Sequence, residues 1–192
     1  MRVTKEPETR KKEILEAAKN LFLQKGYAKT SITDIAGEVN VAKGLFYYYF
    51  PRKECLFDAI GDEFVETLKE QWAQRRLQPS SLLEDLSAYL YFYLDQVEDN
   101  RGLLQLSASD NSPFGAIMKS RLIDTAIEQV YEIFSQHREE FSPPMTYPEY
   151  AIRILIVGFA DLYMSGITDR GVYHTLLLES MGVSLTGRPD SG

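Results

Sequence analysis

The chain has 192 residues and a mass of 22.0 kDa, the size of one domain or of a small domain joined to a larger one. Hydrophobic residues make up 44% and charged residues 26%, and 12 Tyr, 10 Phe and one Trp exclude a disordered chain. A single cysteine, Cys55, excludes an intramolecular disulfide and fits a reducing cytoplasm.

The longest uncharged apolar run, Ile154 to Ala160, has seven residues, far short of the roughly 18 that a membrane span requires. The segment Met1 to Lys12 is polar and charged, which does not read as a secretory signal. The net charge of −7 is unevenly placed: residues 1–55 hold 11 Lys+Arg against 7 Asp+Glu, while residues 56–192 hold 10 against 21. A basic head on an acidic body is the asymmetry expected when only the head meets a polyanion.

Apolar spacing predicts helices nearly throughout. Ile14, Ala17, Ala18, Leu21 and Phe22 fall on one helix face, and Gly26 is expected to close that helix as a left-handed cap. Ile32, Ile35, Ala36 and Val39 repeat the spacing over a short second helix, opened by the capping-box pair Ser31 and Asp34. Asn40 suits the left-handed turn that follows. A third short helix runs from about Ala42 to Tyr49 and is stopped by Pro51.

Longer helices follow, over roughly 53–76 (stopped near Pro79), 81–97 and 101–109. Ser112-Pro113 is an N-cap with proline at the first helical position. The helix after it places Ala116, Ile123, Ile127, Val130 and Phe134 on one face. Ser142-Pro143-Pro144 reads as a loop, Pro148 opens an apolar helix to about Ile167, and a last helix runs from about Arg170 to Met181 and ends at Gly182. The fold class is all-α, with about nine helices.

The second and third helices, joined at Asn40-Val41 and braced by the first, form a helix-turn-helix. The second helix of such a unit enters the major groove of DNA. On this short helix Val41, Phe46 and Phe50 lean inward, leaving Lys43, Gly44, Leu45, Tyr47, Tyr48 and Tyr49 largely outward. Tyrosines exposed beside a lysine suit phosphate oxygens and thymine methyls. Gly44, having no side chain, permits close backbone approach.

With Ile14, Ala17, Ala18, Leu21, Phe22, Gly26, Tyr27 and the string Gly44-x-Phe46-Tyr47-x-Tyr49-Phe50-x-x-Lys53-Glu54, residues 10–57 resemble the DNA-binding head of the tetracycline-repressor (TetR) family. The resemblance implies that Ser31 bonds a phosphate at a helix N-terminus, and that Thr33 reaches a base or phosphate. It also implies that Lys43, Gly44 and Leu45 face base edges, that Tyr47, Tyr48 and Tyr49 clamp the sugar–phosphate backbone, and that Lys53 takes a further phosphate. Plainer readings stand beside these: Ser31 as an N-cap alone, Tyr49 packed partly into the core, Thr33 as a solvated residue. Two positions depart from the common pattern, Tyr49 where histidine is frequent and Arg52 where Ser or Thr usually caps the next helix.

The same resemblance divides the chain into a DNA-binding domain (1–52), a ligand-binding and dimerisation domain (53–186) and a flexible tail (187–192). It implies a homodimer through the last two helices, a palindromic double-stranded operator, and repression relieved by an unknown small-molecule effector. The apolar helix from Pro148 fits burial in both a core and an interface. Candidate effector contacts are Trp72, Tyr89, Phe92, Tyr93, Phe114, Met118, Tyr131 and Asp161, with core packing the plainer reading for the aromatics. Asp161, inside an apolar helix, is expected either to pair with Arg121 or Arg153 or to face a cationic ligand.

An activator, or a regulator without a small-molecule ligand, is the alternative. No catalytic, metal-binding or cofactor-binding pattern is found: His137, His174 and Cys55 occupy no nucleophile elbow, phosphate loop or metal-ligand spacing.

Overall fold

The computed structural model describes residues 6–75, 81–110, 113–137 and 147–181. The stop at Pro79, the N-cap Ser112, the Ser142–Pro144 loop, the helix end at Gly182 and the 187–192 tail lie outside the described residues. Those described form nine helices and no strand: α1 (Pro7–Lys25), α2 (Ile32–Glu38), α3 (Lys43–Tyr49), α4 (Cys55–Arg75), α5 (Leu82–Asp99), α6 (Arg101–Asp110), α7 (Phe114–Gln136), α8 (Pro148–Met164) and α9 (Arg170–Ser180).

The chain forms two compact units, one of residues 1–68 with 100–122, the other of residues 69–99 with 123–192. The division falls inside α4 and inside α7. Compaction therefore does not follow the functional division expected at residue 52, because the first turns of α4 pack with α1. Leu56, Phe57 and Ile60 are buried in that unit.

In the first unit, α1 buries Ile14, Leu15, Ala17, Ala18, Leu21 and Phe22, the face its spacing predicts. Gly26 ends it differently from expectation. Its φ of 83° and ψ of 158° lie in an extended region open essentially to glycine alone, not in the left-handed helical region. Ser31 and Asp34 form a reciprocal capping box at the start of α2. Asn40 has φ 51°. There the Asn40 N–H donates to the Gly37 carbonyl at 3.1 Å and the Val41 N–H to the Ala36 carbonyl at 2.8 Å. This paired closure sets the angle at which α3 leaves α2.

Phe22, Tyr27, Phe57 and Phe114 make one aromatic cluster, with Phe114 5.6 Å from Phe22 and 5.0 Å from Phe57, ring centre to ring centre. Arg121 donates to Asp62 at 2.6 Å and lies 3.9 Å from Asp58. A Cβ on Gly61 would come within 3.3 Å of its guanidinium, so the bare glycine makes the seat for this side chain.

In the second unit, α5 opens with a capping pair, Ser81 and Glu84. It is buried on most of its circumference, with Tyr89, Phe92 and Tyr93 inside and Tyr91 half-buried against His174. The inward face of α7 keeps Ile123, Ile127, Val130 and Phe134 of the expected one but is broader. Ala116 is exposed, and Met118, Leu122, Ala126 and Ile133 are buried beside Ile123 and Val130. The α8 helix ends at Met164, short of Ile167, because Gly166 turns with φ 106° and the Ile167 N–H donates to the Leu162 carbonyl. His137 ties the end of α7 to the start of α5, with Nε2 2.9 Å from the buried Asp85 carboxylate.

Candidate nucleic-acid interface and body cavity

The α3 helix is anchored by Phe46 and Phe50, both fully buried, with Val41 half-buried beside them. Phe46, within α3, and Phe50, the residue that follows it, are both directed inward, which turns the remaining positions outward. Lys43, Gly44, Leu45, Tyr47 and Tyr48 are exposed, Tyr48 by 76% and Tyr47 by 49%. Tyr49 is half-buried and meets Tyr48 edge-on at 5.1 Å. A Cβ built on Gly44 would meet nothing within 4 Å. The glycine is therefore not demanded by packing inside the protein.

Ser31 and Thr33 are exposed at the start of α2. Ser31 is also a cap, its hydroxyl accepting from the Asp34 N–H at 3.1 Å. Asp34 accepts from the Ser31 N–H at 2.7 Å and sits 2.9 Å from the Lys25 ammonium. These donors hold its carboxyl below the usual carboxylate range.

Lys53 reaches back to the segment that follows α1. Its ammonium donates to the Tyr27 carbonyl and lies 3.6 Å from the centre of the Tyr27 ring, a cation–π contact. The Tyr27 hydroxyl donates to Glu54 at 3.2 Å, and burial beside that carboxylate pushes the phenol up to about 12. Lys53 and Glu54 thus hold the segment after α1, one through the face of the Tyr27 ring and the other through its hydroxyl. Thr30, only 2% exposed, donates to the Leu21 and Gly26 carbonyls and closes the bend between α1 and α2. The sequence reading assigned no role to Tyr27 or Thr30. The signal was present only as a tyrosine and a threonine between two predicted helices.

The second unit holds a partly open apolar cavity of about 40 Å³ among α5, α7, α8 and α9. Of the eight expected effector contacts, Tyr89 and Tyr93 line it. Trp72 and Phe92 pack beside Tyr89, at 4.8 and 5.8 Å between ring centres. Phe114 and Met118 are buried in the other unit, and Tyr131 and Asp161 are exposed. Neither arginine expected for Asp161 reaches it: Arg121 pairs with Asp62, and Arg153 lies 3.6 Å from Asp124. The cavity's other walls, among them Leu90, Val130, Ile156 and Met181, are ordinary apolar residues whose spacing marks them only as core.

Residues 14–60 match the family described as bacterial regulatory proteins, tetR family. The chain is 53% identical over 47 residues to the HTH-type transcriptional regulator YuxN of Bacillus subtilis, an overlap covering 24% of this chain and 16% of that protein. It is 26% identical over 93 residues to the HTH-type transcriptional repressor KstR2 of Mycolicibacterium smegmatis, covering 48% and 45%. Among solved structures, Salmonella enterica GusR superposes with a TM-score of 0.70 at 20% identity, over 95% of this chain and 100% of that one. The chain spans less than half the length of either curated relative it matches. No described helix is long and apolar enough to cross a membrane. The helix-turn-helix with its exposed tyrosine face and the match over residues 14–60 lead to one conclusion: the head of this chain is a helix-turn-helix similar to that of the tetR family of bacterial regulatory proteins, and the chain as a whole shares the all-helical fold of GusR.

Proposed function

We propose that this protein is a homodimeric repressor that leaves a palindromic operator when a small molecule occupies its second unit. The observation that carries the DNA-binding part is the division of α3 into a buried Phe46–Phe50 face and an exposed face of Lys43, Gly44, Leu45, Tyr47 and Tyr48. Lys43, Gly44 and Leu45 meet base edges. Ser31, Thr33, Tyr47, Tyr48 and Tyr49 meet the sugar–phosphate backbone. Lys53, turned onto Tyr27, acts on DNA through the placement of the head, with any phosphate contact secondary. Repression is the sign of regulation stated for the relative KstR2.

Dimerisation is supported by an apolar stripe on α8. Tyr150, Ile154 and Val157 are exposed at steps of four and three residues, beside Tyr147, and Ile154 is 72% exposed. A twofold pair through α8 and α9 places two copies of α3 on one duplex.

The test is selection from random duplex DNA on the purified protein, with and without a small-molecule extract of cells. A recovered palindrome with half-sites about one helical turn or a multiple apart, lost in the presence of extract, is the expected result. A protein that enriches no sequence at low salt is not a DNA-binding repressor.

A further inference from the structure

We infer that Leu45 reads the C5 methyl group of a thymine in each half-site, so that the operator is recognised by apolar contact in the major groove more than by paired hydrogen bonds. The inference rests on the DNA-binding reading above and names the base chemistry of that same face. Each base offers the major groove a different edge: two acceptors on guanine, an acceptor and a donor on adenine, a donor on cytosine, and an acceptor with a methyl group on thymine. Arginine answers the guanine edge with two hydrogen bonds, asparagine and glutamine answer adenine, and carboxylates accept from cytosine. None of these residue types occurs from Ala42 to Phe50. Lys43 is the only charged residue in that stretch, and its ammonium is a point charge that serves a guanine or a phosphate alike.

Placement on α3 singles out Leu45. The N-terminal turn of a recognition helix is the part that meets base edges, and α3 begins at Lys43, which puts Leu45 in that turn. Successive side chains are about 100° apart, so Gly44 and Tyr48 stand opposite the buried Phe46, with Leu45 flanking Tyr48. Leu45 is 37% exposed. A lone leucine at a protein surface needs no explanation, but this one directly follows a glycine on the face turned away from the core. A Cβ on Gly44 would meet nothing inside the protein, so the bare backbone is open to close approach and brings the next side chain to the base edges. Leu45 gains nothing from its exposure in the unbound protein, whereas against a methyl group both surfaces leave water. The basic head, with 11 Lys+Arg against 7 Asp+Glu over residues 1–55, supplies attraction that does not depend on sequence. Discrimination is then left to this short apolar face.

The experiment takes the operator selected by the unaltered full chain and replaces its thymines, one position at a time in both half-sites, with deoxyuridine. That base keeps the pairing and the O4 acceptor and lacks only the methyl group. Affinity is measured by fluorescence anisotropy. At one thymine position a loss of about fourfold is expected for each methyl removed. Leu45→Ala is expected to weaken binding to the thymine operator and to bind the thymine and deoxyuridine forms of that position equally. Leu45→Met, which keeps an apolar side chain of similar length, retains the preference. Leu45 is exposed, so both variants keep the fold, which thermal melting checks. The inference is overturned if the selected half-site holds no thymine, if no deoxyuridine substitution weakens binding, or if Leu45→Ala still prefers thymine at the sensitive position. In each of these cases an operator has been bound, and the DNA-binding reading stands. A protein that enriches no sequence overturns both.

Discussion

Lys53 illustrates how one side chain serves two arguments that a measurement separates. A lysine at the start of α4 resembles a phosphate contact, but here its ammonium is spent on the Tyr27 carbonyl and ring. Lys53→Met keeps the stem and removes the charge. It is expected to cost about 1 kcal/mol of stability and to weaken DNA binding with the salt dependence unchanged. A fall of about one in the slope of log affinity against log salt would return Lys53 to the phosphate-binding residues. Asp34 makes a second prediction. Its carboxyl is held low by Lys25 and Ser31, so its contribution is complete above the unfolded carboxylate value near 4 and is lost as the pH falls further. Asp34→Asn should therefore melt below the parent at pH 7, and the gap in melting temperature should narrow steadily as the pH is lowered from 4 to 2.

At the scale of the element, α3 is a stub of seven residues, KGLFYYY, too short to be stable alone. It exists because Phe46 and Phe50 are buried in the head, where α3 packs on α2, and because the closure at Asn40 aims it. Its exposed face is thereby free to be chosen for a partner. Gly44 tests that freedom. A methyl group there meets nothing inside the protein, and alanine favours a helix over glycine by up to about 1 kcal/mol. Gly44→Ala is expected to raise the melting temperature while weakening binding to the selected operator, measured by fluorescence anisotropy. A variant both more stable and equally tight would show that the groove does not approach this backbone. The capping box at Ser31 and the turn at Asn40 were legible from sequence because each is a local hydrogen-bond requirement. The cap geometry at Gly26 and the early end of α8 at Met164 were not, since a glycine serves more than one positive-φ turn and its neighbours select which.

For the whole molecule, the exposed stripe of α8 predicts assembly. Ile154→Lys places a charge at its most exposed apolar position. Sedimentation is expected to show a dimer for the parent and a monomer for the variant, with DNA affinity and salt dependence falling together as half of the phosphate contacts disappear. A parent that sediments as a monomer on and off DNA would remove the twofold reader from the proposal. The sequence by itself determined the all-helical class, the helix-turn-helix, its outward tyrosines and the basic head, because periodicity, caps and charge act over a few neighbouring residues. Only the tertiary structure decided that Lys53 turns onto Tyr27 and that Phe114 and Met118 belong to a core. It alone also left Asp161 at the surface and gathered Tyr89, Tyr93, Val130, Ile156 and Met181 around one cavity. Those outcomes depend on which apolar faces meet across residues far apart in the chain, and an apolar residue looks the same in sequence whether it fills a core or walls a cavity.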